Sequence, residues 1–175
     1  AGGPRGARAP AGRCRVAVVS LRAAEGDALP SVAVDEGKPG ATVNIAELFK
    51  GKKGILFAVP GAFTPTCSEA HFPSYVDHFA ELQAAGAEVV ACVSVNDPFV
   101  MSAWGKDRKA EGKVRMLADS KCELTKALDM ELDATEKLGT IRSKRYAMLI
   151  EDGKITKLGM DDDAYAPFML DALKA

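Results

Sequence analysis

Cys67 is the residue whose position gives it the strongest reason to be reactive. An apolar strand pattern ends at Pro60, and a helix pattern begins within Pro60-Gly61-Ala62-Phe63-Thr64-Pro65-Thr66-Cys67. Thr64 suits the N-cap, since its hydroxyl can accept an amide hydrogen bond, and Pro65 suits the first helical position, where its missing N–H costs nothing. Cys67 then falls in the first turn, where unpaired amides and the helix dipole favour a thiolate over a thiol. Because the thiolate is the nucleophilic form of cysteine, the spacing predicts a nucleophile.

Attack on a peroxide is a reaction that such a thiolate could perform. Attack on one peroxide oxygen drives negative charge onto the other, so hydrogen-bond donors must face the leaving oxygen. The Thr64 hydroxyl and the amides near Thr66 and Cys67 are candidate donors. A fixed cation would complete the site, and arginine is the natural choice because it keeps its proton.

The remaining cysteines and histidines point to no other chemistry. The chain has four cysteines and two histidines, with no C-x-x-C motif, which argues against a zinc site and against a thioredoxin-like reductase. A disulfide scaffold is not expected in a long, cysteine-poor chain. We assign a structural or incidental role to Cys122, no role to Cys14, and packing or hydrogen bonding near the site to His71. Trp104 and Phe99 are expected in the core or at an interface.

Composition excludes several function classes. Lys and Arg number 23 against 24 Asp and Glu, so the formal net charge of -1 gives no electrostatic reason to expect nucleic acid. No apolar run approaches the ~20 residues of a membrane-spanning helix. The expectation is a protein that acts on a small or neutral substrate without a metal or organic cofactor.

Strand and helix patterns alternate along the chain, which predicts an α/β fold with a central mixed sheet flanked by helices. The predicted strands are 54–59, 88–95, 114–118, 146–150 and 154–158, and the predicted helices are 45–49, 64–84, 97–109, 122–128 and 167–174. Pro73 should bend the second helix. Asp152-Gly153 between the last two strands predicts a hairpin.

The N-terminal region differs from the rest of the chain. Residues 1–24 carry five arginines and no acidic residue. This composition is typical of a transit-peptide remnant, and the alternative is a disordered basic tail. The predicted globular domain covers residues 25–175.

The sequence resembles the peroxiredoxin family, because the segment that ends in Cys67 matches the family's P-x-x-x-T-x-x-C loop. It is most similar to the type II or peroxiredoxin-5 subfamily, especially to plant-type members. Further support comes from Leu56-Phe57-Ala58-Val59-Pro60, Cys92-Val93-Ser94-Val95-Asn96-Asp97-Pro98-Phe99-Val100 and Arg142-Ser143-Lys144-Arg145-Tyr146. The resemblance implies a thioredoxin-like fold, Cys67 as the peroxidatic cysteine, Thr64 as the hydroxyl residue, Pro60 as the loop proline and Arg145 as the site cation.

The resemblance also implies a function. We expect a thiol peroxidase that reduces hydrogen peroxide and alkyl hydroperoxides through a Cys67 sulfenic acid, forms a homodimer, and resides in the plastid, with mitochondrion or cytoplasm as alternatives. Animal relatives carry a resolving cysteine near the last helix, where this chain has Asp161-Asp162-Asp163-Ala164-Tyr165-Ala166. The second thiol is therefore either Cys92, as proposed for plant-type relatives, or an external donor, glutathione with glutaredoxin or thioredoxin. A peroxide sensor that passes oxidation to a partner without turnover is the alternative function.

Overall fold

A mixed β-sheet forms the centre of the computed structural model, which describes residues 23–175. Its strands are β1 (Ala33–Glu36), β2 (Lys38–Asn44), β3 (Lys53–Ala58), β4 (Val89–Ser94), β5 (Arg115–Ala118), β6 (Glu131–Asp133), β7 (Ile141–Ser143), β8 (Tyr146–Glu151) and β9 (Lys154–Met160). Seven of them pair in the order β2-β1-β5-β4-β3-β8-β9, and β6 and β7 pair separately. Strands β3, β4 and β5 are parallel, and the outer strands are antiparallel to their neighbours. The predicted α/β, thioredoxin-like fold is confirmed.

The helices cover both faces of this sheet. They are α1 (Ile45–Leu48), α2 (Phe72–Asp77), α3 (Phe79–Ala84), α4 (Pro98–Asp107), α5 (Glu123–Ala127), α6 (Thr135–Leu138) and α7 (Ala166–Lys174). Side chains cap two of these helices: Asn44 Oδ1 accepts from the Glu47 amide, and Asp97 Oδ1 accepts from the Val100 amide. Within residues 23–175, no helix is long and apolar enough to cross a membrane.

The helical stretch predicted over 64–84, with a bend at Pro73, is present but is divided into a π turn and two short α-helices. The segment begins as predicted, with Ser68 N–H donating to Thr64 O, but Cys67–His71 is a π-helical turn, and α2 and α3 are separated at His78. In the π turn, Phe72 N–H donates to Cys67 O, five residues back. Pro73 follows at once and has no N–H to continue the α-helical ladder, so the wider turn upstream takes up the mismatch.

Alternate residues of the central strands fill two separate cores. Phe57 and Cys92 face the core beneath α2, α4 and α7, where Trp104 is also fully buried. Leu56 and its neighbours on the other face pack with α1 and α5. Phe57 stacks on Tyr75 at 3.9 Å between ring centroids, which fixes α2 against the sheet. Phe99, the second aromatic expected in the core or at an interface, is 64% exposed.

The hairpin at Asp152-Gly153 brings a distant part of the chain to the end of β3. Both residues have positive φ, 47° and 74°, as a two-residue hairpin turn requires, so this prediction is confirmed. Strand β8 pairs antiparallel with β3, and Tyr146 lies opposite Ala58. Arg145 therefore emerges beside the loop that follows β3, although 78 residues separate it from Cys67.

Several elements were not predicted, namely β1, β2, the β6–β7 pair and α6. All except β2 have only three or four residues, and most residues of the set are half-buried or exposed, so these elements lack a continuous apolar run. The predicted basic leader lies outside the described residues except for its last two. Ala23 belongs to the folded part, where its amide donates to Leu128 O.

Candidate active site

The loop between β3 and the π turn is fixed by the neighbouring strand β4. Pro60 is half-buried and ends the strand pattern, because it has no N–H to continue the ladder. Asn96, just beyond β4, accepts through Oδ1 from the Ala62 amide at 3.1 Å and from the Ser94 hydroxyl at 2.6 Å. Both anchors lie at the carboxyl ends of parallel strands, where α/β sheets place their functional loops. These hydrogen bonds tie the backbone before Cys67 to the end of β4.

Cys67 is the first residue of the π turn, and its sulfur contacts a guanidinium. Arg145 Nη2 donates to Cys67 Sγ at 3.3 Å. A fixed cation at this distance favours the anionic form of a sulfur, and arginine cannot lose its charge by deprotonation. Sequence spacing alone could not place Arg145 here; antiparallel pairing of β8 with β3 does.

A buried histidine holds the other side of the same guanidinium. Arg145 Nη1 donates to His71 Nδ1 at 2.7 Å, and His71 Nε2 lies 2.8 Å from Ala164 O. The pKa of His71 is lowered from 6.5 to about 4, chiefly because burial penalises the charged ring. The hydrogen bond to Ala164 O opposes this shift, and the charge of Arg145 adds to it. His71 is therefore neutral near pH 7.

Thr64 lies before the first helical turn, but its hydroxyl bonds differ from those predicted. The hydroxyl donates to Gly61 O at 2.7 Å instead of capping an amide. Its single hydrogen is thus engaged, so Thr64 is not free to donate to a leaving oxygen. Its oxygen lone pairs can still accept a hydrogen bond from the protonated oxygen of a peroxide.

The other described cysteines lie in different surroundings, and Cys67, Cys92 and Cys122 are all free thiols. Cys92 is fully buried in β4, on the same core face as Cys67. Burial raises the pKa of the Cys92 thiol well above its ordinary value, and negative charge at Cys67 raises it further. Cys122 precedes α5 in a left-handed conformation, and its pKa is also raised, mainly by burial.

Sequence reasoning missed two residues of this site. His71 was expected to pack or to form hydrogen bonds nearby, but its bridge between Arg145 and Ala164 was not foreseen. The feature of the sequence that could have indicated this role is the position of His71 one helical turn after Cys67. Asn96 was noticed only as part of a motif, although a polar residue directly after a buried parallel strand indicates a site-forming position.

The fold and the site together define the class: a thioredoxin-like domain in which the helix-start cysteine faces a cation instead of a second cysteine. A family profile described as Redoxin matches residues 24–168. The chain belongs to the Redoxin family and, within it, to the peroxiredoxins of the type II and peroxiredoxin-5 subfamily.

Relatives and solved structures agree with that placement. Chloroplastic peroxiredoxin-2E-2 of Oryza sativa subsp. japonica is 45% identical over 147 residues, which is 79% of this chain but only 65% of the rice protein. Peroxiredoxin 5 from Alvinella pompejana is 43% identical with a TM-score of 0.83, covering 87% of this chain and 98% of that one. Reduced Prx3 from Vibrio vulnificus, in complex with hydrogen peroxide, is 44% identical with a TM-score of 0.81, covering 86% and 99%.

Proposed function

We propose that this protein is a thiol peroxidase that reduces hydrogen peroxide and alkyl hydroperoxides, with Cys67 as the attacking residue. The observation that carries the proposal is the 3.3 Å contact between Arg145 Nη2 and Cys67 Sγ at the start of a helix. Peroxiredoxin relatives, one of them solved with hydrogen peroxide bound, support the same chemistry. Cys67 is only 1% exposed, which favours small or slender peroxides.

The first step oxidises the sulfur and breaks the peroxide bond. The Cys67 thiolate attacks one peroxide oxygen, a sulfur–oxygen bond forms, and the oxygen–oxygen electron pair moves to the leaving oxygen. Arg145 faces the reacting atoms and stabilises the charge that develops there, while Thr64 accepts a hydrogen bond from the peroxide hydroxyl. The leaving oxygen takes a proton and departs as water or an alcohol, and Cys67 becomes a sulfenic acid.

The second step returns the sulfur to its reduced form. A donor thiol condenses with the sulfenic acid, giving a mixed disulfide and water, and a second donor thiol releases Cys67 with a donor disulfide. We assign these thiols to an external donor, glutathione with glutaredoxin or thioredoxin. Pairing with Cys92 would require that thiol to leave the centre of the sheet, where it is fully buried, by local unfolding.

Peroxide consumption with an excess of donor thiol tests the proposed function. The expected result is many turnovers per chain in the wild type and none above the uncatalysed rate in Cys67→Ser. Equal consumption by the two proteins would contradict the assignment of Cys67. One persistent oxidation per chain, without turnover, would instead favour the peroxide sensor.

Location and assembly complete the proposal. A plastid location rests on the basic composition of residues 1–24 and on the chloroplastic rice relative. The homodimer rests on the family resemblance. A fluorescent fusion of the full-length protein and sedimentation analysis, respectively, test these two points.

A further inference from the structure

We propose that His71 is a positioning residue that connects the turn Asp161–Ala164 to the guanidinium of Arg145 and so aims that group at Cys67. The inference deepens the proposed peroxidase function and rests on it. His71 does not touch the sulfur in this role. It acts by restricting the orientation of the group that does.

The turn holds Arg145 at both its backbone and its side chain. Asp161 N–H donates to Arg145 O at 3.1 Å, which fixes the start of β8. Three residues further on, Ala164 O accepts from His71, and His71 in turn accepts from Arg145 Nη1. One short 3-10 turn therefore fixes the beginning and, through His71, the end of a long side chain. An arginine held at both ends loses little rotamer freedom when the substrate arrives.

The two partners of His71 require the same tautomer. Every guanidinium N–H is a donor, so His71 Nδ1 must accept, and the Ala164 carbonyl can only accept, so Nε2 must carry the hydrogen. Tyr75 Oη also donates to Ala164 O at 2.6 Å, which fills the second lone pair of that oxygen. The ring is thus held without ambiguity by fully paired buried groups.

The neutrality of His71 matters for the charge of the site. A carboxylate in its place would also orient Arg145 but would offset the positive charge that Cys67 and the leaving oxygen need. A neutral ring accepts the hydrogen bond and leaves that charge intact. The lowered pKa of His71 agrees with this role.

The turn itself is held close to β9 at Gly159. A Cβ on Gly159 would collide with the carbonyl oxygen of Asp163, and backbone atoms cannot give way as a flexible side chain can. Gly159→Ala should therefore shift the turn and loosen the His71–Arg145 contact without changing either side chain.

The test compares His71→Phe with Tyr75→Phe as a matched control. Both variants remove one hydrogen bond to Ala164 O and keep an aromatic ring, but only the first removes the contact to Arg145. Two rates are measured in stopped flow: sulfenic acid formation with hydrogen peroxide, and alkylation of Cys67 by iodoacetamide. Both reactions need the thiolate, but only the peroxide reaction develops charge on a leaving oxygen.

We expect His71→Phe to lower the peroxide rate about tenfold, as loss of one hydrogen bond to a charged group implies, while alkylation changes less than threefold. Tyr75→Phe should stay within twofold of the wild type in both rates. A peroxide rate in His71→Phe within twofold of the wild type, or an equal loss of both rates, would overturn the inference. If the wild type itself reacts with peroxide no faster than glutathione does, the proposed function fails instead.

Gly159→Ala decides the matter if His71→Phe does not fold. The expected result is a selective loss of the peroxide rate, at least threefold, with Cys67 alkylation unchanged and a cooperative thermal transition retained. Unchanged peroxide reactivity in that folded variant would contradict the positioning role of the turn and of His71.

Discussion

Cys67 and Cys92 share one hydrophobic core but differ in their polar surroundings. Both are buried, with 1% and 0% of their surfaces exposed, and both lie on the same face of the sheet. Cys67 begins a helical turn and meets the guanidinium of Arg145. Cys92 lies in the middle of β4 between Phe57 and Met116 of the neighbouring strands.

The proposed function assigns reactivity to Cys67 and not to Cys92, so it requires that polar contacts, and not burial, distinguish the two thiols. Around Cys92, burial dominates and raises the pKa of the thiol, although the charge of Arg145 acts in the opposite direction. Cys67 is equally buried, but the Arg145 guanidinium lies 3.3 Å from its sulfur. Under this proposal, the reactivity of a thiol in a site that excludes water depends on a few polar groups placed near its sulfur.

Arg145→Met should have the largest effect on the peroxide reactivity of Cys67, because it removes the charged group that contacts this sulfur. Loss of one fixed donor at a developing oxyanion costs about 100- to 1000-fold in rate, so we expect a fall of that size in sulfenic acid formation at Cys67. Lys144→Met is the matched control, since it removes the same charge from an exposed neighbouring residue. A rate in Arg145→Met within tenfold of the control would show that the guanidinium is not essential.

The pH dependence of the free energy of unfolding tests whether His71, the buried histidine that contacts Arg145, is held neutral by the fold. The pKa of His71 is about 4 in the folded protein and about 6.5 when unfolded, so between these values the unfolded chain binds more protons. The contribution of His71 to the free energy of unfolding is fully present above pH 6.5 and is lost as the pH falls toward 4. We expect a decrease of about 3 kcal/mol in the free energy of unfolding.

Urea unfolding at pH 7 and pH 4 measures this change. Carboxylates titrate over part of the same range, so the wild type is compared with His71→Phe, which lacks only the histidine contribution. An equal loss of stability in both proteins would mean that His71 is not held neutral by the fold.

Cys92→Ala should have the smallest effect, since it alters the cysteine that lacks polar partners. We expect turnover with excess external thiol within twofold of the wild type and a loss of about 1 kcal/mol in stability. Steady-state peroxide assays and thermal unfolding check these values. A tenfold fall in turnover at an unchanged rate of sulfenic acid formation would identify Cys92 as the resolving thiol and contradict the external donor.

Local chemistry made much of the fold predictable from the sequence. The Asp152-Gly153 turn and the apolar strands follow from the types of neighbouring residues, and the structure has each of them. The break in the predicted 64–84 helix was harder to predict, because it depends on how the chain around Pro73 redistributes its hydrogen bonds. The edge strand β2 has no continuous apolar run that would indicate it in the sequence.

The candidate site was predictable only in part, for a related reason. The place of Cys67 at the start of a helix follows from Thr64 and Pro65, which are its near neighbours. The contact with Arg145 depends on sheet pairing across 78 residues, and only the family resemblance indicated it beforehand. The bridge through His71 to Ala164 spans 93 residues, and the sequence indicates only that His71 lies one helical turn after Cys67, not that it contacts Ala164.

Peptide mapping after one equivalent of hydrogen peroxide tests the central claim most directly. With dimedone present to trap sulfenic acid, we expect one adduct per chain, on Cys67, and unmodified Cys92 and Cys122. The same adduct on Cys92, or labelling spread evenly over the cysteines, would contradict the claim that the polar groups around Cys67 make that sulfur the reactive one.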